Sequence, residues 1–181
     1  MTNMRHLLTS IMAIALCVVG VVYPVYAADK SQLVKAAFLY NFTKFTSWPK
    51  PLDLPSQSHI NICILGKNTL GDATGVFSKA STSSLKISAK HITSPPSKAG
   101  TCHVLYITQS MSGNLESVLR QSANSYALTV SDIPKFADIG GMIGFVKSGN
   151  KIRLHINKGT ADTAGLKLSA QLLEIADKVV R

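Results

Sequence analysis

The sequence is poor in acidic side chains and carries no recognisable catalytic motif. Only nine residues are Asp or Glu, against nineteen Lys and Arg in a chain of 181. A hydrolase that works with paired carboxylates needs two converging acids, and no pair is nominated by the spacing of the late acidic residues, Asp132, Asp138, Asp162 and Glu174. The sequence has no G-x-S-x-G nucleophile elbow and no G-x-G-x-x-G nucleotide loop. We therefore predict no catalytic residues and a protein that is not an enzyme.

The histidines and cysteines lack the spacing of a metal site. The later histidines each stand alone in a strand-like context: His59, His91, His103 and His155. Zinc sites need close-spaced ligand pairs, and adjacent strand residues such as Cys102 and His103 point to opposite faces. We therefore predict no metal and no cofactor. Asp132 follows a strand and precedes Pro134, a position at which a helix N-cap accounts for it.

No apolar run is long enough to cross a bilayer, which takes roughly 20 residues. The N-terminus instead combines the basic Arg5, an apolar stretch from Ile11 to Val22, the helix breaker Pro24 and a small-residue site that ends at Ala27. This order is typical of a secretory signal peptide. We predict that residues 1–27 are cleaved and that residues 28–181 form one exported domain. An uncleaved membrane anchor is the alternative.

The positive charge is large but not clustered. The formal net charge is +10 at pH 7, yet no two Lys or Arg residues are adjacent. Nucleic-acid binding would favour clustered basic residues with interleaved aromatics, so we expect no nucleic-acid partner. The charge would suit anionic lipid head groups or an acidic protein. A solvated basic surface without a specific target explains it equally well.

Two cysteines follow the predicted cleavage site, and both lie in strand-like apolar runs. Cys63 is in the run from His59 to Leu65, and Cys102 begins the run that ends at Thr108. An even number of cysteines in an oxidising compartment favours a disulfide. A redox-active pair, the alternative, is more often close-spaced as in C-x-x-C. We therefore predict that Cys63 and Cys102 form a structural disulfide.

The first predicted helix, from Ser31 to Trp48, is unusually aromatic. Pro49 and Pro51 follow it and stop it. A helix that is apolar on most sides is either buried or covered by another chain. Core packing and a dimer or partner surface are therefore both open for its aromatic residues, Phe38, Tyr40, Phe42, Phe45 and Trp48.

The rest of the chain alternates strand and helix signals. Strands are predicted near residues 60–65, 85–92, 104–108 and 126–130, with helices near 70–80 and 114–122. Residues 142–146 and 152–156 flank Ser148-Gly149-Asn150, which predicts a hairpin. A long helix is predicted from Thr160 to Val180. We expect a single three-layer α/β domain, in which a mixed sheet of parallel strands with a late antiparallel hairpin is flanked by helices.

Several segments together resemble the YfiR family of small exported proteins. They run in the family's order and cover the chain from about Lys30 to its end. The segments are the helix Val34–Phe45 with Trp48-Pro49, Ile62–Gly66, Cys102–Ile107, Thr129–Asp132, Gly140–Val146, Lys151–Asn157 and Ala164–Leu173. Cys63 and Cys102 match the core disulfide of the family. Ala137 and Gly144 occupy the stretch where some members carry a second cysteine pair, so this chain should lack that second disulfide.

The resemblance implies a periplasmic, usually dimeric domain without enzymatic activity. It implies binding to the periplasmic sensor region of an inner-membrane diguanylate cyclase, which is held inactive and so controls cyclic-di-GMP and biofilm formation. An outer-membrane lipoprotein that sequesters the repressor is the further partner that the resemblance implies. The alternative is a periplasmic module that senses a small ligand in a cleft lined by Tyr40 and Trp48 and acts on another membrane receptor or kinase.

A partner surface is expected on the late hairpin and the segment that follows it. If the hairpin lies at the edge of the sheet, its apolar and basic side chains can meet another protein. The residues predicted to bind the partner are Ile143, Phe145, Arg153, His155, Ala161 and Leu166. Plain core packing is the competing explanation for Phe145 and Leu166.

Overall fold

A seven-stranded mixed sheet lies at the centre of the computed structural model, which describes residues 30–50 and 58–181. The predicted signal peptide, residues 1–27, lies outside the described residues. The helices are α1 (Lys30–Phe45), α2 (Gly75–Ala80), α3 (Leu115–Ser122), α4 (Lys158–Thr163) and α5 (Ala170–Glu174). The strands are β1 (Thr46–Ser47), β2 (His59–Leu65), β3 (Lys86–Ile92), β4 (Val104–Ile107), β5 (Leu128–Ser131), β6 (Ile143–Ser148), β7 (Lys151–Asn157), β8 (Lys167–Leu168) and β9 (Lys178–Val180).

The order of strands across the sheet is β3-β2-β4-β5-β6-β7-β9. The first five are parallel, β6 and β7 form an antiparallel hairpin, and β9 runs parallel to β7. Short strands β1 and β8 pair with each other in a separate two-stranded sheet. The predicted α/β class, with parallel strands and a late antiparallel hairpin, is confirmed.

Helices cover both faces of the sheet, and each face has its own apolar cluster. Alternation along β2 and β4 divides their side chains between the two, because neighbouring strand residues point to opposite faces. Ile62 and Tyr106 belong to the larger cluster, which also contains buried residues of α1, α2, α4 and α5. Cys63 and Leu105 belong to the smaller cluster, under α3. The three layers of the prediction are therefore present.

The predicted disulfide between Cys63 and Cys102 is present in the smaller cluster. The two Cα atoms are 5.7 Å apart and both side chains are buried. Cys63 lies within β2, and Cys102 comes two residues before the start of the neighbouring β4. The bond therefore joins two adjacent strands at a point where 38 intervening residues would otherwise separate freely.

The long helix predicted from Thr160 to Val180 is wrong. The chain there forms α4, β8, α5 and β9 in succession. Gly165, with φ of +77°, adopts a left-handed conformation after α4, and β8 then pairs with β1. Ser169 caps α5 by accepting a hydrogen bond from the Leu172 N–H at 3.2 Å. The leucines of this segment look helical in spacing, but a remote strand partner decides its local structure.

Two boundary predictions also change. Helix α1 ends at Phe45, because Thr46 and Ser47 pair with β8 as β1. The hairpin does not lie at the sheet edge, because His155–Asn157 of β7 pair with Lys178–Val180 of β9. The predicted turn near Pro134 is a series of turns rather than a helix. Close packing after it is real, since a Cβ at Gly141 would lie 2.2 Å from the ring of Phe136.

Loss of the disulfide should destabilise the domain substantially. For a loop of roughly 40 residues, the chain-entropy account gives about 4 kcal/mol. We expect the double variant Cys63→Ala/Cys102→Ala to lose about that free energy of unfolding in urea denaturation. Dithiothreitol should produce a similar loss in the wild type and none in the double variant. Equal stability of the oxidised and reduced wild type would contradict this account.

Candidate functional site

Four of the residues predicted to bind a partner lie in the core. Ile143, Phe145, Ala161 and Leu166 are all buried. Phe145 packs against Phe42 of α1, with ring centroids 6.0 Å apart. A partner that leaves the fold unchanged cannot reach these four side chains. Their predicted partner role stays a prediction, whereas their packing role is visible.

The two remaining predicted residues, Arg153 and His155, are accessible on one face of β7. They alternate with the buried Leu154 and Ile156, so the pleat turns them to the sheet's other side. Arg153 is exposed and the His155 side chain is 24% exposed. Of the predicted set, the structure therefore brings only these two together at the surface.

Ion pairs link this face of β7 to its neighbours in the sheet and the preceding loop. The His155 Nε2 lies 3.6 Å from Asp177 Oδ2, and the Lys178 Nζ donates to Asp138 Oδ1 at 2.7 Å. The hydrogen bond from Lys178 lowers the pKa of Asp138. Beside Asp138, the Ile139 side chain is 53% exposed. We call Ile139, Arg153, His155 and Lys178 the outer β7 surface, an apolar side chain among basic ones.

The aromatic residues of the first helix pack mainly into the core. Phe42 and Trp48 are buried, and the partly buried rings of Phe38, Tyr40 and Phe45 pack against the same cluster. The exposed apolar side chains of α1 are instead Leu33 and Val34. Core packing therefore accounts for the aromatic helix. Nothing in these contacts decides whether α1 also serves a dimer.

The cleft expected between Tyr40 and Trp48 does not form. Lys44 Nζ lies 4.3 Å from the centre of the Tyr40 ring, and the buried Trp48 ring meets His103 edge-on at 6.0 Å. Open grooves lie elsewhere. One of about 630 Å³ is lined by residues of α4, α5, β9 and Arg181, and another of about 440 Å³ follows β3. Both Tyr40 and Trp48 are absent from their walls.

A buried polar cluster lies where β4 and β5 end beneath α1. Lys35 Nζ donates to Asp132 Oδ2 at 2.7 Å, and the two side chains are 11% and 19% exposed. The Tyr106 hydroxyl is buried beside Asp132 and Thr69 without a hydrogen bond of normal geometry to a described residue. Burial, and then the charge of Asp132, raise the pKa of Tyr106. The N-cap interpretation of Asp132 is therefore wrong: its carboxylate holds α1.

Sequence reasoning missed this cluster because 97 residues separate Lys35 from Asp132. A usable signal was present, however. Lys35 is the one charged residue between Ser31 and Thr43, in the most apolar part of α1. A lone charge on a buried helix needs a partner, and an acid directly after a buried strand is a suitable one.

The buried His103 is held by the strand next to it. Its Nδ1 accepts a hydrogen bond from the Asn61 N–H at 3.1 Å, while its own N–H donates to the Asn61 carbonyl at 2.8 Å. Burial lowers the pKa of His103. This histidine is therefore a neutral structural residue at the start of β4.

Metal-ligating side chains do not converge in residues 30–50 and 58–181. No three His, Cys, Asp or Glu side chains of this part form a group that could hold a metal ion. Within the same part, no helix combines the length and apolar character that a membrane crossing requires.

Comparisons with known proteins give a family and a fold. A family model described as YfiR/HmsC-like matches residues 32–177. Among solved structures, a conserved domain protein from Vibrio cholerae O1 biovar El Tor is similar with a TM-score of 0.51 at 12% identity. The match covers 80% of this chain and 59% of that one, so this chain spans little more than half of its length. At that identity the likeness concerns the fold alone. No curated protein matches the chain.

Breaking the buried ion pair should cost far more than breaking an exposed one. Lys35→Met leaves the Asp132 carboxylate buried without its cation, so we expect the free energy of unfolding to fall by about 3 kcal/mol. Adding Asp132→Asn should recover part of that loss, because the unpaired charge is gone. Lys158→Met, which breaks the exposed pair with Asp162, should cost less than about 0.5 kcal/mol in the same urea titration. Equal losses for the two lysine variants would contradict the assignment.

The lowered pKa of His103 should make the fold sensitive to acid. The unfolded chain binds the imidazole proton more readily than the folded one, so stability falls as the pH drops below about 6.5. His103→Asn keeps an acceptor for the Asn61 N–H and removes the titration. We expect its melting temperature to decline less between about pH 7 and pH 5 than that of the wild type. His91→Asn, at an exposed position, should keep the wild-type slope.

Proposed function

This chain belongs to the YfiR/HmsC-like family, and from that membership we propose that it is a periplasmic regulator of an inner-membrane diguanylate cyclase. The match over residues 32–177 is the observation that carries the proposal. The protein represses the cyclase by direct contact with its periplasmic sensor region and so lowers cyclic-di-GMP and biofilm formation. The regulator need not be catalytic, because binding one conformation of the sensor is enough to shift its population.

Features of the chain support a periplasmic site of action. The disulfide between Cys63 and Cys102 is typical of proteins in oxidising compartments. The N-terminal sequence has the order of a secretory signal. A homodimer, and an outer-membrane lipoprotein that sequesters the repressor, are included in the proposal because the resemblance implies them.

The outer β7 surface is the part of the predicted partner site that another protein can reach. Ile139 offers an exposed apolar side chain, while Arg153, His155 and Lys178 surround it with basic groups. Interfaces typically place such an apolar centre inside a polar rim. We assign the contact with the sensor region to this surface. The buried residues Ile143 and Phe145 support it from the core.

Cellular cyclic-di-GMP tests the proposed function directly. Deletion of the gene should raise cyclic-di-GMP and biofilm mass in the native host, and expression of the wild-type protein should restore both. Removal of the signal-peptide region from the complementing gene should abolish the restoration, because the protein would then not reach the periplasm. Unchanged cyclic-di-GMP after deletion would contradict repression of a cyclase.

Charge and polarity changes on the outer β7 surface should weaken capture of the cyclase. We expect Ile139→Asp/Arg153→Glu to reduce capture of the purified sensor region by about tenfold or more, since both changes fall at the centre of the contact. Leu33→Asp/Lys30→Glu makes the same types of change on α1 and is the matched control. Both variants should keep the wild-type melting temperature. Equal capture by the wild type and Ile139→Asp/Arg153→Glu would remove this surface from the proposal.

A further inference from the structure

The two edges of the seven-stranded sheet are finished differently. At one edge, the short β9 is joined to its surroundings by the ion pairs of Asp177 and Lys178. At the other edge, β3 pairs with β2 over seven residues, and no described strand pairs with its outer side. The outer side of β3 is therefore a long and regular strand edge in the described part of the chain.

Backbone alternation shows which groups of β3 face outward. The Lys86 N–H donates to the Ser58 carbonyl at 2.8 Å, so Lys86 and every second residue after it bond towards β2. Ile87, Ala89 and His91 consequently direct their N–H and C=O groups away from the sheet. Ser81 Oγ already bonds both groups of Ile87, at 2.9 and 3.3 Å. Ala89 and His91 are left with an open hydrogen-bonding ladder.

The surroundings of this edge are uniformly basic. The sequence has no acidic residue between Asp72 and Glu116. The exposed lysines on and around β3 form no ion pair with a described residue: Lys67, Lys79, Lys86, Lys90 and Lys98. Elsewhere, Lys35, Lys158 and Lys178 each hold a carboxylate. The unpaired cations are thus concentrated at the one open strand edge.

A groove continues the edge beyond the end of β3. It has a volume of about 440 Å³, and its walls include His91, Ile92, Pro95, Pro96 and Lys98. A chain that pairs with Ala89 and His91 would pass directly into this groove. The edge therefore offers backbone pairing, positive charge and a receiving surface in one line.

We propose that the β3 edge is a docking site for an extended acidic segment of another protein, which adds a strand to the sheet. Strand addition draws affinity from main-chain hydrogen bonds and selectivity from side chains. The lysines supply the selectivity, since lysines at a strand edge resist uncharged or basic strands. A second copy of this chain is a poor occupant because it would bring Lys86 and Lys90 against like charges. An anionic membrane would use the lysines but not the ladder of Ala89 and His91.

Ala89→Pro separates backbone pairing from charge. Its N–H points outward and takes no part in the ladder with β2, so proline removes a donor at the edge, where proline is tolerated. The probe is a synthetic peptide of about nine residues that alternates glutamate with valine. In titrations followed by amide NMR, we expect the largest shifts at Ala89 and His91. Ala89→Pro should weaken binding about fivefold, the worth of one backbone hydrogen bond, and Lys86→Glu/Lys90→Glu about tenfold or more.

The controls decide between strand addition and its rivals. Lys147→Glu/Lys151→Glu makes the same charge change on the hairpin and should leave peptide binding within about twofold of the wild type. A peptide with lysine in place of glutamate should not bind. Absence of binding by the acidic peptide at about 1 mM, or shifts that avoid β3, overturns the proposal. Stronger binding to phosphatidylglycerol vesicles, equal in the wild type and Ala89→Pro, overturns it in favour of a lipid surface.

Discussion

Phe145 joins the first helix of the chain to the middle of the sheet, and the larger core is arranged around this contact. Its ring centroid lies 6.0 Å from those of Phe38 and Phe42 and 6.3 Å from that of Tyr106. Aromatic rings bury large areas and prefer tilted or offset contacts at such distances. Because α1 precedes every strand of the sheet and β6 comes late, the contact closes most of the chain into one core.

The same helix is held at its other end by charge, and this explains why the aromatic cluster alone does not position it. Lys35 and Asp132 lie two helical turns before Phe42 and just after β5. A buried ion pair adds little net stability, because desolvation offsets its attraction, but a misplaced helix would leave two charges buried apart. The pair therefore penalises other registers of α1 more than it favours the native one. The disulfide acts on the opposite face, where only α3 and loops cover the sheet.

Much of the fold can be predicted from the sequence because local pattern and tertiary demand agree there. Strands β2 to β7 follow short β-rich runs, and Ser148-Gly149-Asn150 marks the hairpin. The segment after Asn157 resists prediction because its leucines suit a helix while β1 and β7 recruit parts of it as strands. The surface site resists for a similar reason. Burial of Ile143 and Leu166, and the pairing of Asp138 with Lys178 across 40 residues, depend on the assembled sheet.

The placement of charge separates the two surfaces through which this regulator is proposed to act. On the outer β7 surface, His155 and Lys178 are balanced by Asp177 and Asp138, so an incoming partner must compete with existing ion pairs. Such a contact draws its affinity mainly from apolar burial around Ile139 and changes little in kind with salt. The β3 edge has no internal acids to displace among the described residues, so its attraction for an anionic chain is long-ranged and weakens as salt screens it. Two partners could therefore bind at opposite sheet edges under different ionic control, which suits a protein that must be captured by one and released from another.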